Sequence, residues 1–126
     1  MRLLVDTHVF LWWRGDDPRL GELERQAVRD GQNDVFLSAA SIWEIAIKRS
    51  LGRLQIPEAA SAAAVRLGFE PLPISFAHAE ATALLPPLHR DPFDRLLVAQ
   101  ARTEGCTLVT NDPLIRAYPG VAFLPA

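Results

Sequence analysis

Short runs of strand-forming residues recur along this chain, each separated from the next by a segment of helical spacing. "RLLVD" at 2–6, "VFLS" at 35–38, "TLVT" at 107–110 and "VAFL" at 121–124 are too short for buried helices and too continuously apolar for strands with one wet face. A fifth extended stretch, "FEPLPI" at 69–74, carries two prolines, which restrict it to a short or edge strand. Between them lie helices. Leu20, Leu23 and Ala27 recur at helical spacing over 19–29, before Gly31. "SIWEIAIKRSLG" predicts a helix over 41–51 closed by Gly52, and "EAASAAAVRLG" one over 58–68. Ser75 caps a helix running to about Leu85, where Pro86 and Pro87 break the chain. "DPFDRLLVAQARTEG" is a helix closed by Gly105, and "DPLIRAY" a short one. Strands that alternate with helices in this way build a parallel sheet covered on both faces. The expected fold is α/β, a mainly parallel central sheet of about five short strands flanked by helices, in one domain over 1–126.

Composition agrees with that reading. Of 126 residues, 49% are hydrophobic and 22% charged, which is neither a disordered nor a membrane composition. The formal net charge of −2 supplies no overall attraction for nucleic acid, although a local basic patch can act within a mildly acidic protein. No internal repeat, linker or low-complexity tail interrupts the pattern. A single cysteine, Cys106, forms no intrachain disulfide and fits a reducing compartment. The apolar start "MRLLVDTHVFLWW" is interrupted by Asp6 and His8, and no stretch approaches the roughly 20 apolar residues of a membrane helix. The expectation is a soluble cytoplasmic protein with no membrane partner.

In open parallel sheets the functional crevice lies beyond the carboxyl ends of the strands. Asp6 ends the first strand and Asp112 follows "TLVT". Each acid near such a position also has a local explanation. Ser41 and Glu44 form Ser-x-x-Glu, a capping box, and Glu44 precedes Lys48 by four residues, a favourable helical pair. Yet Ile42, Trp43, Ile45, Ala46 and Ile47 surround them, leaving Ser41, Glu44 and Lys48 as one polar stripe on an apolar rod. Asp91-Pro92 and Asp112-Pro113 both have the grammar of an N-cap followed by proline. Asp94 then falls in the first helical turn, where a carboxylate favours the helix dipole. Asp6 lacks a structural role unless it caps a following helix, which Thr7 would do equally well.

Collectively these acids fall at strand ends and helix starts on one side of the sheet. Two carboxylates about 5 Å apart repel by roughly 3 kcal/mol at an effective dielectric near 20. A cluster of four therefore needs protons, a neighbouring Lys or Arg, or a bound cation. Hard oxygen ligands without a Cys or His cluster favour Mg²⁺ or Mn²⁺ over zinc, and magnesium seeks substrate phosphates. Lys48, Arg90 and Arg95 are either phosphate contacts or solvated surface. Two other readings stay open. An aspartyl-phosphate hydrolase with Asp6 as nucleophile usually has a second Asp two residues on, where this chain has His8. A non-catalytic interaction module would use the acids only as helix caps.

The segments "LLVDTHVFLWW", "SAASIWEIAIK", "DPFDRLLVAQA" and "LVTND", in this order and spacing, resemble the PIN-domain ribonucleases, and among them the VapC-type toxins of bacterial toxin–antitoxin pairs. The resemblance implies an Mg²⁺- or Mn²⁺-dependent endoribonuclease that hydrolyses RNA phosphodiester bonds. It puts the four catalytic, metal-holding acids on Asp6, Glu44, Asp94 and Asp112, the last within Thr110-Asn111-Asp112. Asp91 is then chiefly the cap that positions Asp94, with an outer contact or substitution for Asp94 left open; Thr7, Ser41, Lys48, Arg95 and Thr110 are supporting candidates. It also implies an antitoxin partner whose C-terminal segment blocks the site, and a homodimer. Trp12 and Trp13 cannot share a helix face, so one is expected at a rim or interface, whereas Trp43 is expected in the core. None of His8, His78 and His89 has a partner at metal-ligand spacing. His89 stands close enough to Asp91 to tune the loop or touch RNA, and His78 is read as packing or capping. Cys106, in or beside a strand, is assigned no chemistry.

Overall fold

The computed structural model describes residues 1–125. Its five strands are β1 (Arg2–Val5), β2 (Asp34–Ser38), β3 (Glu70–Leu72), β4 (Thr107–Val109) and β5 (Phe123–Leu124). The helices are α1 (Thr7–Arg14), α2 (Glu22–Arg29), α3 (Ala39–Ser50), α4 (Ala60–Arg66), α5 (Phe76–Ala81), α6 (Pro92–Glu104) and α7 (Pro113–Arg116), with a 3₁₀ turn at Thr82–Leu84. All strand pairs are parallel, in the order β3-β2-β1-β4-β5. The expected α/β fold with a parallel sheet is therefore present, and the proline-bearing strand β3 lies at an edge.

β1 is the centre of this arrangement because both its faces are dry. Leu3 and Val5 pack on one side with Val9, Phe10, Leu37, Ile45 and Val109. Leu4 packs on the other with Ala40, Leu97, Val98, Ala101, Leu108 and Ile115. The alternation of these side chains across one strand is what lets two helical layers share it. The chain runs outward from β1 through β2 to β3, then returns to β4 on the other side of β1. That reversal opens a crevice at the carboxyl ends of β1 and β4.

Local chemistry sets the helix ends. Asp91 and Asp112 are N-caps with proline at the first helical position, as their sequence grammar requires. Gly105 closes α6 at φ +65°, where a Cβ would be strained. His78 and Ser75 cap α5 reciprocally, and the His78 ring also meets Glu104 at 2.7 Å. Cys106 is buried immediately before β4.

Two expectations about α3 need correction. The helix starts at Ala39, with the Ser38 hydroxyl accepting the Ala40 N–H at 3.0 Å. Ser41 and Glu44 therefore do not form a capping box; both lie inside the helix with their polar atoms available for other contacts. Trp43 is not in the core but 59% exposed, resting edge-on against Phe93 with ring centroids 5.1 Å apart. The cause is shared: α3 turns Ser41, Glu44 and Ile45 inward, which rotates Trp43 out. Trp12 and Trp13 are both half-buried against the first core cluster. No helix among the described residues is long and apolar enough to cross a membrane.

Candidate active site

Asp6 follows β1 and is 3% exposed. One carboxylate oxygen accepts the Val9 N–H at 2.7 Å, so Asp6, rather than Thr7, caps α1. The other accepts the hydroxyl of Thr110, the residue after β4. The Thr110 hydroxyl in turn accepts the Asp112 N–H at 3.1 Å. A single threonine thus joins the ends of the two central strands and holds both aspartates on the crevice.

Thr7, released from capping, reaches α3. Its hydroxyl donates to Glu44 Oε1 at 2.7 Å and lies 2.9 Å from the Ser41 hydroxyl. Glu44 Oε2 accepts from Lys48 Nζ at 2.9 Å, the helical pair read from the sequence. The polar stripe of α3 therefore faces the site.

Asp94 and Asp112 approach the crevice from the first turn of α6 and the cap of α7. Between them stands His89, its Nε2 2.9 Å from Asp94 Oδ2 and 3.9 Å from Asp112 Oδ2. Ligand atoms of these three residues lie within 4.8 Å of one another. Asp91 uses one oxygen for the Phe93 and Asp94 N–H groups at 2.8 and 3.3 Å, which makes it the cap that fixes Asp94.

The acids also influence one another's protonation. Burial first, then the negative charges of Asp91 and Glu44, push the Asp94 carboxyl up from 3.8 to about 7, against the opposing influence of His89. Asp6 is also raised, by burial foremost and by Asp112 least, while its bonds to Thr110 and Val9 pull it back. Asp94 thus feels Glu44, and Asp6 feels Asp112, so the four sequence-predicted acids border one crevice, while Asp6 and Glu44 stand outside the tight group of His89, Asp94 and Asp112. Lys48 is the one cationic side chain bonded to any of them among the described residues. Five neighbouring carboxyls, three hydroxyls and one imidazole form a predominantly hard-oxygen donor set whose negative charge is under-compensated. Such a site fits a divalent cation.

Arg95 does not join it. Its guanidinium donates to the carbonyls of Thr82 and Pro86 and to the Tyr118 hydroxyl at 2.9–3.0 Å, so it braces the 82–91 loop instead of contacting phosphates. Arg90 is exposed. His89 is the residue that sequence reasoning underrated. It lacks a His-x-x-x-His partner, and its place between two acids arises only when α6 and α7 meet. The one sequence signal was its position in the stiff "PPLHRDP" approach to the Asp91 cap.

Two grooves flank this region. One of about 430 Å³ begins beside the acids at His8 and Lys48 and continues past Trp12, Arg14, Arg19 and Arg53. The other, about 680 Å³ and almost wholly apolar, lies between α3, α4 and β3 and includes Trp43.

A parallel sheet whose central strand ends in one of several clustered carboxylates is the architecture of a PIN domain, and the PIN-domain profile matches residues 3–121. The chain belongs to the PIN-domain family. It is similar to ribonuclease VapC22 of Mycobacterium tuberculosis, with 29% identity over 119 residues, 92% of this chain and 91% of that protein. Ribonuclease VapC16 of the same organism is 43% identical over 58 residues, 43% of this chain and 41% of that protein. Among solved structures, VapBC2 from Rickettsia felis bound to a promoter DNA fragment superposes with a TM-score of 0.71 at 15% identity, covering 98% of this chain and 97% of that one. DNA-bound VapBC from Salmonella typhimurium superposes with a TM-score of 0.71 at 17% identity, covering 98% and 96%. At such identities the structural likeness speaks for the fold.

Proposed function

We propose that this protein is a metal-dependent endoribonuclease acting as the VapC-type toxin of a toxin–antitoxin pair. The observation that carries the proposal is the approach of Asp6, Glu44, Asp94 and Asp112 to one crevice from four separate segments, with burial and the charges of Asp91 and Glu44 pushing the Asp94 carboxyl up to about 7. Those four residues would hold Mg²⁺ or Mn²⁺. When bound, the ion polarises a phosphoryl oxygen and lowers the pKa of an attacking water.

The protein's own groups divide the remaining work. Thr110 fixes Asp6 and the backbone of Asp112, and Thr7 orients Glu44 toward the crevice. Lys48 neutralises the Glu44 oxygen that Thr7 leaves. The groove past Trp12, Arg19 and Arg53, where Arg19 lies over the Trp12 ring and pairs with Asp17, offers the cations of Arg53 and Lys48 to the strand beside the scissile phosphate, which suits single-stranded RNA. Partners are an RNA substrate, an antitoxin protein and a second copy of the chain; the VapBC complexes among the structural neighbours support the antitoxin. The lone buried thiol suits a cytoplasmic setting.

The alternatives fit less well. An aspartyl-phosphate hydrolase would pair Asp6 with a second Asp two residues on, and His8 stands there. An interaction module would explain Asp6, Asp91 and Asp112 as caps. Neither Glu44, which lies mid-helix, nor Asp94, which accepts no backbone N–H among the described residues, is such a cap. The test is cleavage of a mixed RNA pool by protein freed of antitoxin, with Mn²⁺, with EDTA, and with Asp94→Asn. Discrete metal-dependent fragments that the variant does not produce are expected. An Asp94→Asn protein that cleaves as well as wild type would refute the assignment.

A further inference from the structure

We propose that His89 is a positioning residue of the acidic site, an N–H donor that orients Asp94 and holds it at a set distance from Asp112; this rests on the metal-dependent reading above. Among the described residues, His89 is the one basic side chain within 4 Å of both carboxylates. Asp94 belongs to α6 and Asp112 to the approach to α7, so nothing in either helix alone fixes the gap between them.

The state of the ring follows from its other side. The Asp91 N–H points at Nδ1 from 3.4 Å, and an N–H faces a lone pair rather than another hydrogen. In the neutral ring the hydrogen therefore sits on Nε2, the atom that meets Asp94. His89 accordingly offers the site a donor and not a free lone pair. The donor occupies Asp94 Oδ2 and leaves Oδ1 without a protein hydrogen bond among the described residues.

The loop around His89 is built to hold that geometry. The His89 backbone N–H donates to the Tyr118 hydroxyl at 3.0 Å, and Tyr118 is 2% exposed. Arg95 donates to the same hydroxyl at 3.0 Å and to the carbonyls of Pro86 and Thr82. Pro86 and Pro87 stiffen the approach. Arg95, which has no contact with the acids, thereby acts on them through Tyr118 and the His89 backbone. This accounts for a segment, "PPLHRDP", that helix capping alone does not explain.

The test is Mn²⁺ binding to the purified apoprotein, followed by the free-ion electron paramagnetic resonance signal and by pulsed detection of ¹⁴N couplings, for wild type, His89→Leu and His89→Gln. Outer-shell partners of metal ligands are typically worth 10–100-fold in affinity. His89→Leu should weaken Mn²⁺ binding by about tenfold or more, while the variant still unfolds cooperatively in EDTA with a melting temperature lowered by only a few degrees. His89→Gln, whose amide N–H₂ reaches to nearly the place of Nε2, should restore most of that loss. Wild type should show no imidazole ¹⁴N coupling. Equal Mn²⁺ affinity in the Leu variant, failure of Gln to rescue, or a ¹⁴N coupling that the Leu variant lacks would each overturn the proposal, the last by making His89 a direct ligand. A wild-type protein that binds no Mn²⁺ at all would overturn the metal-dependent reading itself, and with it the role of His89.

Discussion

Replacing Asp94 by Asn should make the metal-free protein more stable at alkaline pH and no more stable at acid pH. The carboxyl is raised from 3.8 to about 7 by burial and by the charges of Asp91 and Glu44. Above both values, a shift from 3.8 to about 7 disfavours the ionised form by about 4 kcal/mol before screening. Solvent entering the open crevice reduces this to roughly 2 kcal/mol. Because the folded value is the higher one, the favourable contribution is fully present below about pH 4 and is lost as pH rises through about 7. Asn resembles the protonated carboxyl and still offers an oxygen to His89. At about pH 3.5, below both values, wild type and variant should therefore melt almost together, and the gap should open as pH rises from about 4 to about 7. At pH 8 in EDTA the variant should be more stable by roughly 2 kcal/mol, or about 6–8 °C for a domain of this size. Mn²⁺ should reverse the order, since a ligand at 100 times its Kd stabilises the binding-competent protein by about 2.7 kcal/mol. Differential scanning fluorimetry between about pH 3.5 and 8, with Mn²⁺ and with EDTA, reads all of this. A stability difference that does not change with pH, or an Asn variant less stable at pH 8 without metal, would refute the reasoning.

Other outcomes follow from single contacts. Thr110→Val removes the hydroxyl that serves both Asp6 and the Asp112 N–H, and should cost about 2–3 kcal/mol in urea denaturation through two unsatisfied groups. Arg95→Met should destabilise the fold by roughly 2–4 kcal/mol, because several charge-assisted bonds to the 82–91 loop and Tyr118 are lost together. The same variant should leave the salt dependence of RNA binding unchanged, which a phosphate-contacting arginine would not. Arg53→Gln, in the cationic groove, should weaken RNA binding with little effect on the melting temperature, and should flatten the plot of log affinity against log salt by about 0.7.

The parts of this molecule set by local chemistry were legible in the chain. Asp-Pro pairs at 91–92 and 112–113 marked two N-caps, and Gly105 marked a helix end. Short apolar runs alternating with helices led to the parallel sheet, and from there to Asp6 and Asp112 beside its central strands. What the chain did not disclose depended on which face of an element meets its neighbour. Ser38 and Ser41 are both plausible caps, and the extension of β2 to Ser38, paired with Leu72 of β3, decides for Ser38. That choice determines that Ser41 and Glu44 serve the site. On a helix this apolar all round, no periodicity says that Trp43 should face outward. The roles of Arg95 and His89 were hidden for a related reason: one reaches Tyr118 and the other Asp112, across 23 residues each, and such contacts exist only after α6 and α7 have packed.

The most direct test of the central claim is the chemistry of the cut ends. Protein freed of its partner would be incubated with a mixed RNA pool across a Mn²⁺ titration, and the new termini analysed. Attack by water, activated within the carboxylate cluster, should give metal-dependent fragments without 2′,3′-cyclic phosphates, and none in EDTA or with Asp94→Asn. Cleavage that persists in EDTA, or that yields cyclic phosphates through the RNA's own 2′-hydroxyl, would contradict a metal-dependent hydrolytic site.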